Sequence, residues 1–327
     1  MWAGTLAEGD SVHLRPGVEN AIRTLDQRGI LQSISSKNDH DNAWQRLKEL
    51  GLDHYFLYPQ IHWNSKAESI RQIATDLNIG LNTFAFLDDQ PFEREEVTFN
   101  EPEVRTYAPD NLPDLLLRDE FNPRFITIDS SRRREMYQSD LKRKAVESTF
   151  SGPNEAFLET LAMVFTVRPA QVEDLRRAEE LTERTNQLNT TGRTYSFDEF
   201  NDILNGDDHI LLVAELTDKF GSYGKIGLVL IHTTSEIWTI ELFLMSCRVM
   251  SRGVGGALIT FLRRHAKQTG VGLRARFRET DRNRMMYITY KFAGFRDASA
   301  GNAPDLMEND LSEIPEMPSY LTIDVQL

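Results

Sequence analysis

Residues 237–258, IWTIELFLMSCRVMSRGVGGAL, constrain the fold more than any other stretch of the chain. Apolar side chains at Trp238, Ile240, Leu242, Phe243 and Leu244 alternate and then run together, which predicts a strand entering a core. Just beyond it stands Cys247, the only thiol in the sequence. Arg252-Gly253-Val254-Gly255-Gly256 comes next, and Leu258, Ile259, Phe261 and Leu262 then take helical spacing. A strand, a glycine turn and a helix aim backbone N–H groups at an anion. Small residues permit close approach, and the helix N-terminus favours negative charge. A phosphate-bearing ligand passing a lone thiol points to acyl transfer. The alternative is a buried cysteine acting as a small apolar residue, beside glycines that only close a turn.

The surrounding segments predict an α/β unit. Residues 163–168 read as a strand, 173–185 as a helix, 186–194 (NQLNTTGRT) as a polar loop and 197–204 as a short helix. Successive strands follow at 209–216, 225–232 and 237–245. The helix after the glycine turn runs to about Lys267, a strand covers 273–277, and a helix covers 283–292 and ends at Gly294-Phe295. That order resembles the GNAT acyltransferase fold. Asn283, Tyr290 and Gly294-Phe295 fit that family's N…Y…GF helix, and residues 251–255 fit its pyrophosphate loop. The family prefers Gln or Arg where Met250 stands. The resemblance implies that Arg252, Gly253, Gly255 and Asn283 hold CoA or the phosphopantetheine arm of a carrier protein. The arm has one phosphate and asks less of the loop. The resemblance also implies Tyr290 as general acid to the leaving thiolate; a packed aromatic is its other reading. A thiol near a pantetheine groove would make Cys247 a candidate acyl carrier.

The first half alternates helix and strand. Residues 1–8 read as a loop, a helix opens at Leu14-Arg15-Pro16-Gly17-Val18, and residues 30–34 form a short buried strand. Residues 42–50 are a helix stopped by Gly51, 55–58 a short strand, 66–77 a helix, and 83–87 a strand running into Asp88-Asp89. This is the spacing of a parallel sheet with crossover helices, whose polar site lies at the carboxyl ends of the strands. Ser36 and Asn38 follow one strand, Lys66 opens a helix, and Asp88 and Asp89 follow another strand. Hydroxyl, ammonium and paired carboxylates are what phosphoryl transfer with Mg²⁺ requires: the first two hold phosphate oxygens and the carboxylates hold the cation. Taken singly, each cluster reads as a helix cap or a turn.

The order S…K…DD resembles the haloacid dehalogenase (HAD) phosphatase superfamily. Residues 29–39, 55–66 (YFLYPQIHWNSK) and 84–94 (FAFLDDQPFER) are similar to its FkbH-like branch, as are TNQLNTTGRTYS and FLMSCRVMSRGVG in the second half. That family loads a glyceryl unit from 1,3-bisphosphoglycerate onto an acyl carrier protein, toward methoxymalonyl-type polyketide extender units. The resemblance implies Ser36, Asn38 and Lys66 as phosphate ligands, Lys66 as a catalytic ammonium, and Asp88 and Asp89 as Mg²⁺ ligands. In the family the nucleophile motif D-x-D-x-T runs directly into a Trp, matched here by Trp2, so both motif aspartates and the first strand are expected to be missing. A sequence truncated upstream of Met1 is the favoured account, and no phosphate release through an aspartyl-phosphate is expected.

Ser151-Gly152-Pro153 breaks the chain. The expected organisation is a HAD-like Rossmannoid parallel sheet over residues 1–125, a linking helix over 126–154, and a GNAT-like domain over 155–327. The linking helix carries Arg132-Arg133-Arg134 and Lys142-Arg143-Lys144. These are either a solvated face or a docking surface for an acidic partner such as an acyl carrier protein. A net charge of −13 over 327 residues opposes nonspecific nucleic-acid binding. One cysteine rules out an internal disulfide and fits a reducing compartment. No apolar run reaches the length of a membrane span, and residues 1–10 lack the pattern of a signal peptide, so a cytoplasmic location is expected. Three functions follow: glyceryl transfer from a phosphorylated three-carbon acyl donor to a carrier thiol, acetyl transfer from acetyl-CoA, or noncatalytic carrier docking.

Overall fold

A computed structural model describes residues 2–3, 14–110, 112–185, 187–298 and 305–326. The chain divides into two compact units, Met1–Gln138 and Ser139–Leu327.

The first unit runs β1 (Trp2–Ala3), α1 (Val18–Gln27), β2 (Ser35–Ser36), α2 (His40–Glu49), β3 (Gln60–Ile61), α3 (Lys66–Leu77), β4 (Ala85–Asp88), α4 (Pro91–Asn100) and β5 (Arg105–Tyr107). Short helices α5 (Leu112–Leu115) and α6 (Ile128–Ser131) follow, and α7 (Arg133–Thr149) contains the unit boundary. The expected linking helix over 126–154 is therefore two helices, with its residues shared between the units. Apolar spacing builds α1, which buries Val18, Ala21, Ile22 and Leu25, and α3, which buries Ala67, Ile70, Ile73, Ala74 and Leu77.

The strands are parallel, as expected, but they form two pieces, β1-β4-β5 and β2-β3, where one continuous sheet was expected. Three local expectations shift. Residues 30–34 contribute one bridge, Gln32 to Phe56, and the strand proper is Ser35–Ser36. Residues 53–55 are a 3₁₀ turn, and Tyr58 at φ 49° ends any extended run there. Trp2–Ala3, expected in a loop, pairs with Leu87 and Asp88.

The second unit adds α8 (Asn154–Thr160), β6 (Met163–Pro169), α9 (Leu175–Arg184), α10 (Phe197–Leu204), β7 (His209–Asp218), β8 (Gly221–Thr233), β9 (Ile237–Met245), α11 (Val254–Thr269), β10 (Gly272–Arg276), α12 (Arg284–Phe292), β11 (Phe295–Asp297), β12 (Leu306–Asn309) and β13 (Leu321–Val325). One sheet orders these strands β11-β12-β10-β9-β8-β7-β6-β13. Strands β6 to β9 form an antiparallel meander. β10 lies parallel to β9, with α11 making the crossover that parallel neighbours require. Alternation along the strands feeds two cores. Ile240, Phe243 and Met245 face Leu258, Leu262 and Tyr290, while Leu242 and Leu244 face Leu175, Leu181 and Phe200. A register shift pairs Leu230 with Leu242 but Ile231 with Ile240, so Glu241 is a bulged residue on β9. Among the described residues no helix is long and apolar enough to cross a membrane.

Candidate active site

β9 and β10 stay paired only from Ile237 to Ile240, against Gly272 to Ala275. Beyond that point another segment takes the edge of β9. Met245 N donates to Leu188 O at 2.9 Å and Thr190 N to Phe243 O at 3.1 Å. Phe243 N donates to Thr190 Oγ1 at 3.1 Å. On the far side Arg278 N donates to Thr190 O at 3.0 Å. Thr190 is therefore a rung between two diverging strands. Sequence reasoning placed residues 186–194 in a polar loop; backbone bonds and one hydroxyl make the rung, and neither leaves a pattern in the sequence.

Asn283 holds this rung. Its Nδ2 donates to Asn189 O at 3.0 Å and to Arg278 O at 2.9 Å, and its Oδ1 accepts from Thr280 N at 2.9 Å. With these bonds made, the buried amide clamps the divergence. Two helical turns further on, Tyr290 is fully buried, with ring centroids 6.1 Å from Phe243 and 4.9 Å from Phe295. Its hydroxyl has Thr190 as a polar neighbour but no hydrogen bond in bonding geometry. Burial raises its pKa, so the phenol stays protonated at neutral pH.

At the end of β9 the chain makes a 3₁₀ turn over Cys247–Arg252, and Gly253 at φ 73° opens the sixteen-residue α11. The N–H groups of Val254, Gly255 and Gly256 lie in its first turn and have no intrahelical acceptor. A Cβ at Gly256 would meet nothing within 4 Å, and one at Gly255 only Met245 at 3.9 Å. Gly253 differs: a Cβ there would lie 2.2 Å from the Tyr320 hydroxyl. Gly253→Ala is therefore expected to cost about 1–2 kcal/mol from the left-handed backbone alone, with the steric clash added. In Tyr320→Phe the steric part should ease, because the next atom stands at 3.3 Å. Urea denaturation of the single and double variants checks both parts; equal loss in the two would remove Tyr320 from the account.

Arg252 turns inward. Its side chain is 8% exposed, its guanidinium lies 5.8 Å from the Phe157 ring, and Nη2 reaches Glu147 at 3.4 Å. Nε and Nη1 have no partner. Cys247 turns outward and is an exposed free thiol. The reading of Cys247 as a buried small apolar residue is thereby corrected: the 3₁₀ turn places it beyond the core that receives β9. Ellman's reagent should titrate one thiol in the native protein, and Cys247→Ser should move stability by no more than about 0.5 kcal/mol. A thiol that reacts only after denaturation would reverse this placement.

In the first unit, Lys66 at the start of α3 and Asp88 at the end of β4 do come together. They are a directly bonded pair, with Lys66 5% exposed and Asp88 0%. The other Asp88 oxygen accepts Gln90 N at 2.9 Å. Burial pushes the Asp88 carboxyl above its usual range, with the Lys66 bond pulling the other way. Asp89 pairs with Arg15 at 3.1 Å, leaving its Oδ1 buried and without a partner. Ser36 is half-buried, and the backbone of its pairing partner region joins β2 to β3; Asn38 is exposed and accepts Asp39 N at 2.7 Å.

The Mg²⁺ expectation meets a different arrangement. Mg²⁺ binds open carboxylate oxygens and keeps several waters. Here both Asp88 oxygens are buried and bonded, and only one oxygen of the aspartate pair lacks a partner. Among the described residues no group of three or more His, Cys, Asp and Glu side chains is placed to hold a metal. As arranged, these residues do not fit Mg²⁺.

The two basic runs divide between inward and outward side chains. Arg133 donates to Gly29 O at 2.6 Å, and Arg134 forks onto Asp26 at 2.8 and 3.1 Å. Arg143 is 1% exposed and forks onto Asp218 at 2.7 and 2.9 Å, while also bonding Asp140 at 2.6 Å. These guanidiniums are internal ties. Lys142 and Lys144 remain exposed.

No protein-family model matches the chain, and no curated protein does. It is similar to the solved structure of the ribosomal-protein-S18-alanine N-acetyltransferase from Escherichia coli, at 16% identity and a TM-score of 0.36, over 46% of this chain and 97% of that one. It is similar to the PaiA N-acetyltransferase from Thermoplasma acidophilum in complex with coenzyme A, at 15% identity and 0.36, over 44% and 98%. The GNAT domain of S. lividans PAT is similar at 19% identity and 0.34, over 43% and 86%.

Proposed function

We propose that residues 139–327 form an acyltransferase that makes or breaks a thioester of a phosphopantetheine arm. The observation that carries this reading is the order of groups along β9. It leads from the buried Tyr290 phenol beside Phe243 to the exposed Cys247 thiol and on to the amide-rich start of α11. The α11 amides would take the phosphate of the arm. The acceptor would attack the thioester carbonyl, the C–S bond would break, the departing thiolate would take the Tyr290 proton, and the proton lost by the acceptor would restore the phenol. An arm that adds to the edge of β9 would replace the bonds from Leu188 and Thr190; an arm that follows only the turn would leave them intact.

The finer proposal takes a phosphorylated three-carbon acyl donor and an acyl carrier protein as acceptor: the Cys247 thiolate would attack the acyl phosphate and release phosphate, and the arm's thiol would then attack the Cys247 thioester, with Cys247 as the departing thiolate. It draws support from the motif resemblance at residues 55–66 and 84–94. A second reading, acetyl transfer from acetyl-CoA, uses the same turn and phenol. Intact-mass spectrometry of a purified carrier protein distinguishes them. A glyceryl gain with 1,3-bisphosphoglycerate supports the first, and an acetyl gain that requires acetyl-CoA supports the second. No gain with either donor, over a range of carrier proteins, would leave the docking module as the surviving alternative.

A further inference from the structure

The side of α12 that faces away from the core is apolar. Met286 and Tyr290 point inward and are buried. Met285, Ile288 and Phe292 follow at helical spacing on the opposite side. Met285 is 48% exposed and Phe292 89%, with the half-buried Ile288 between them. Single exposed apolar side chains are ordinary, whereas a contiguous group rimmed by charge marks an interaction site. At 1.5 Å per residue this stripe is about 10 Å long.

The charges of α12 are of one sign. Its nine residues, RMMYITYKF, hold Arg284 and Lys291 and no acid, in a chain of net charge −13. Lys291 is tied to Asp297 at 3.1 Å. Arg284 is the first residue of the helix, is exposed, and has no ion pair among the described residues. In the loop before it, Glu279 and Asp281 balance Arg278 and Arg282, and Arg282 reaches Asp281 at 3.6 Å with both side chains exposed. The excess charge at this end is therefore the positive charge of Arg284. The positive end of the helix dipole disfavours a cation in this position. Arg284 thus works against the helix it opens, and an acidic partner would reverse that effect.

Topology fixes where this face lies. β9 and β10 are parallel neighbours, α11 follows β9, and α12 follows β10. Both helices therefore begin at the same end of the sheet. Both also enter the same core, through Leu258 and Leu262 on α11 and Met286 and Tyr290 on α12. The turn before α11 adds Met250, which is 48% exposed. Methionine adapts to varied apolar surfaces. The phosphate of a phosphopantetheine arm is esterified to the protein that bears the arm. With that phosphate at the α11 amides, the bearer has to touch the surface around the starts of α11 and α12.

We propose that the outward face of α12 is the docking surface for the protein that bears the arm. The proposal rests on the acyltransferase reading above, which places the arm's phosphate at α11. Met285, Ile288 and Phe292 make the apolar contact, Met250 adds to it from the neighbouring turn, and Arg282 and Arg284 meet carboxylates. The matching surface presents acidic side chains around an apolar contact. In such an interface the apolar anchors give affinity and the rim charges steer encounter.

The test titrates a panel of fluorescein-labelled holo acyl carrier proteins with the full chain and follows anisotropy. Phe292→Ser and Met285→Ser should each weaken binding about tenfold, the scale of an apolar anchor. Arg284→Glu should weaken it at low salt and flatten its salt dependence. All three side chains are exposed, so thermal melts should stay within a degree or two of the parent. Acyl transfer to free phosphopantetheine, which has no bearer to dock, should be unchanged. Anisotropy needs no turnover, so a parent that acylates neither acceptor yet holds carriers through Phe292 supports the docking face while the acyltransferase reading fails. Binding to no carrier in the panel, or equal binding by parent and variants, overturns the proposal. So does slower transfer to free phosphopantetheine in the variants. A parent dimer that Phe292→Ser dissolves would give the face to a second copy and overturn it equally.

Discussion

Replacing Arg143 by alanine is expected to destabilise the second unit by about 3–5 kcal/mol, the usual cost of breaking a buried ion pair from one side. Asp218 is the reason. Its side chain is 0% exposed, and Arg143 supplies a two-pronged partner. Tyr223 adds a hydroxyl bond to the same carboxylate at 2.9 Å, and its ring lies 3.8 Å beneath the guanidinium. Removing the cation leaves a buried carboxylate with two fewer bonds. The melting temperature should fall by about 6–20 °C at 2–4 °C per kcal/mol. The double variant Arg143→Met with Asp218→Leu should recover part of the loss, because no unmatched charge remains, although the Tyr223 hydroxyl and the Phe220 and Gly221 amides lose their acceptor. A single variant that melts within a degree or two of the parent would refute this account.

The pH dependence follows from the same pair. Burial alone would push the Asp218 carboxyl up, but the Arg143 bonds outweigh it and hold the group below its ordinary value. A lowered folded-state pKa contributes stability above the unfolded value, near pH 4, and loses it as pH falls through the folded value. In the Arg143→Ala variant burial is opposed only by the bonds from the Phe220 and Gly221 amides and the Tyr223 hydroxyl. The carboxyl then rises above its unfolded value, and the variant should lose least relative to the parent in acid and most near neutrality.

Tyr290→Phe is expected to separate activity from stability. The hydroxyl is fully buried without a bonded partner, and an unsatisfied buried polar group costs about 1–3 kcal/mol. Phenylalanine keeps the ring contacts with Phe243 and Phe295 and removes that cost, so stability should hold or rise. If the phenol delivers the proton to the departing thiolate, acyl transfer should fall about 10²–10⁴-fold. Thermal melts and single-turnover loading rates measured on one preparation check both halves. Retained activity with raised stability would make Tyr290 a packed aromatic and nothing more.

Much of the second unit was legible because its strands are long and alternate cleanly. The expected strand at residues 237–245 and helix at 197–204 match β9 and α10 in both bounds. β11, β12 and β13 were not anticipated. They have three, four and five residues, and sequences such as LMEN and LTIDV mix polar and apolar positions without a period. In the first unit the strands are too short to set a pattern: β2 and β3 have two residues each. The fate of Arg143 was hidden for a different reason. Its partner lies 75 positions away, and nothing local distinguishes it from Lys142 and Lys144. Among the candidate residues, Cys247 was singled out by its type and Tyr290 by resemblance, while their environments required tertiary packing. The Thr190 rung left no signal at all.

That rung gives β9 two rates of opening. The amides of Leu242 and Leu244 belong to the ladder with β8, deep in an eight-stranded sheet. The amides of Phe243 and Met245 depend on Leu188 and Thr190, three residues of connecting chain held by Asn283. Such segments come from the low end of the local stability range. Alternate residues of one strand are thus governed by two separate equilibria, one global and one local. The local equilibrium can expose the lip of β9 while the sheet behind it stays closed.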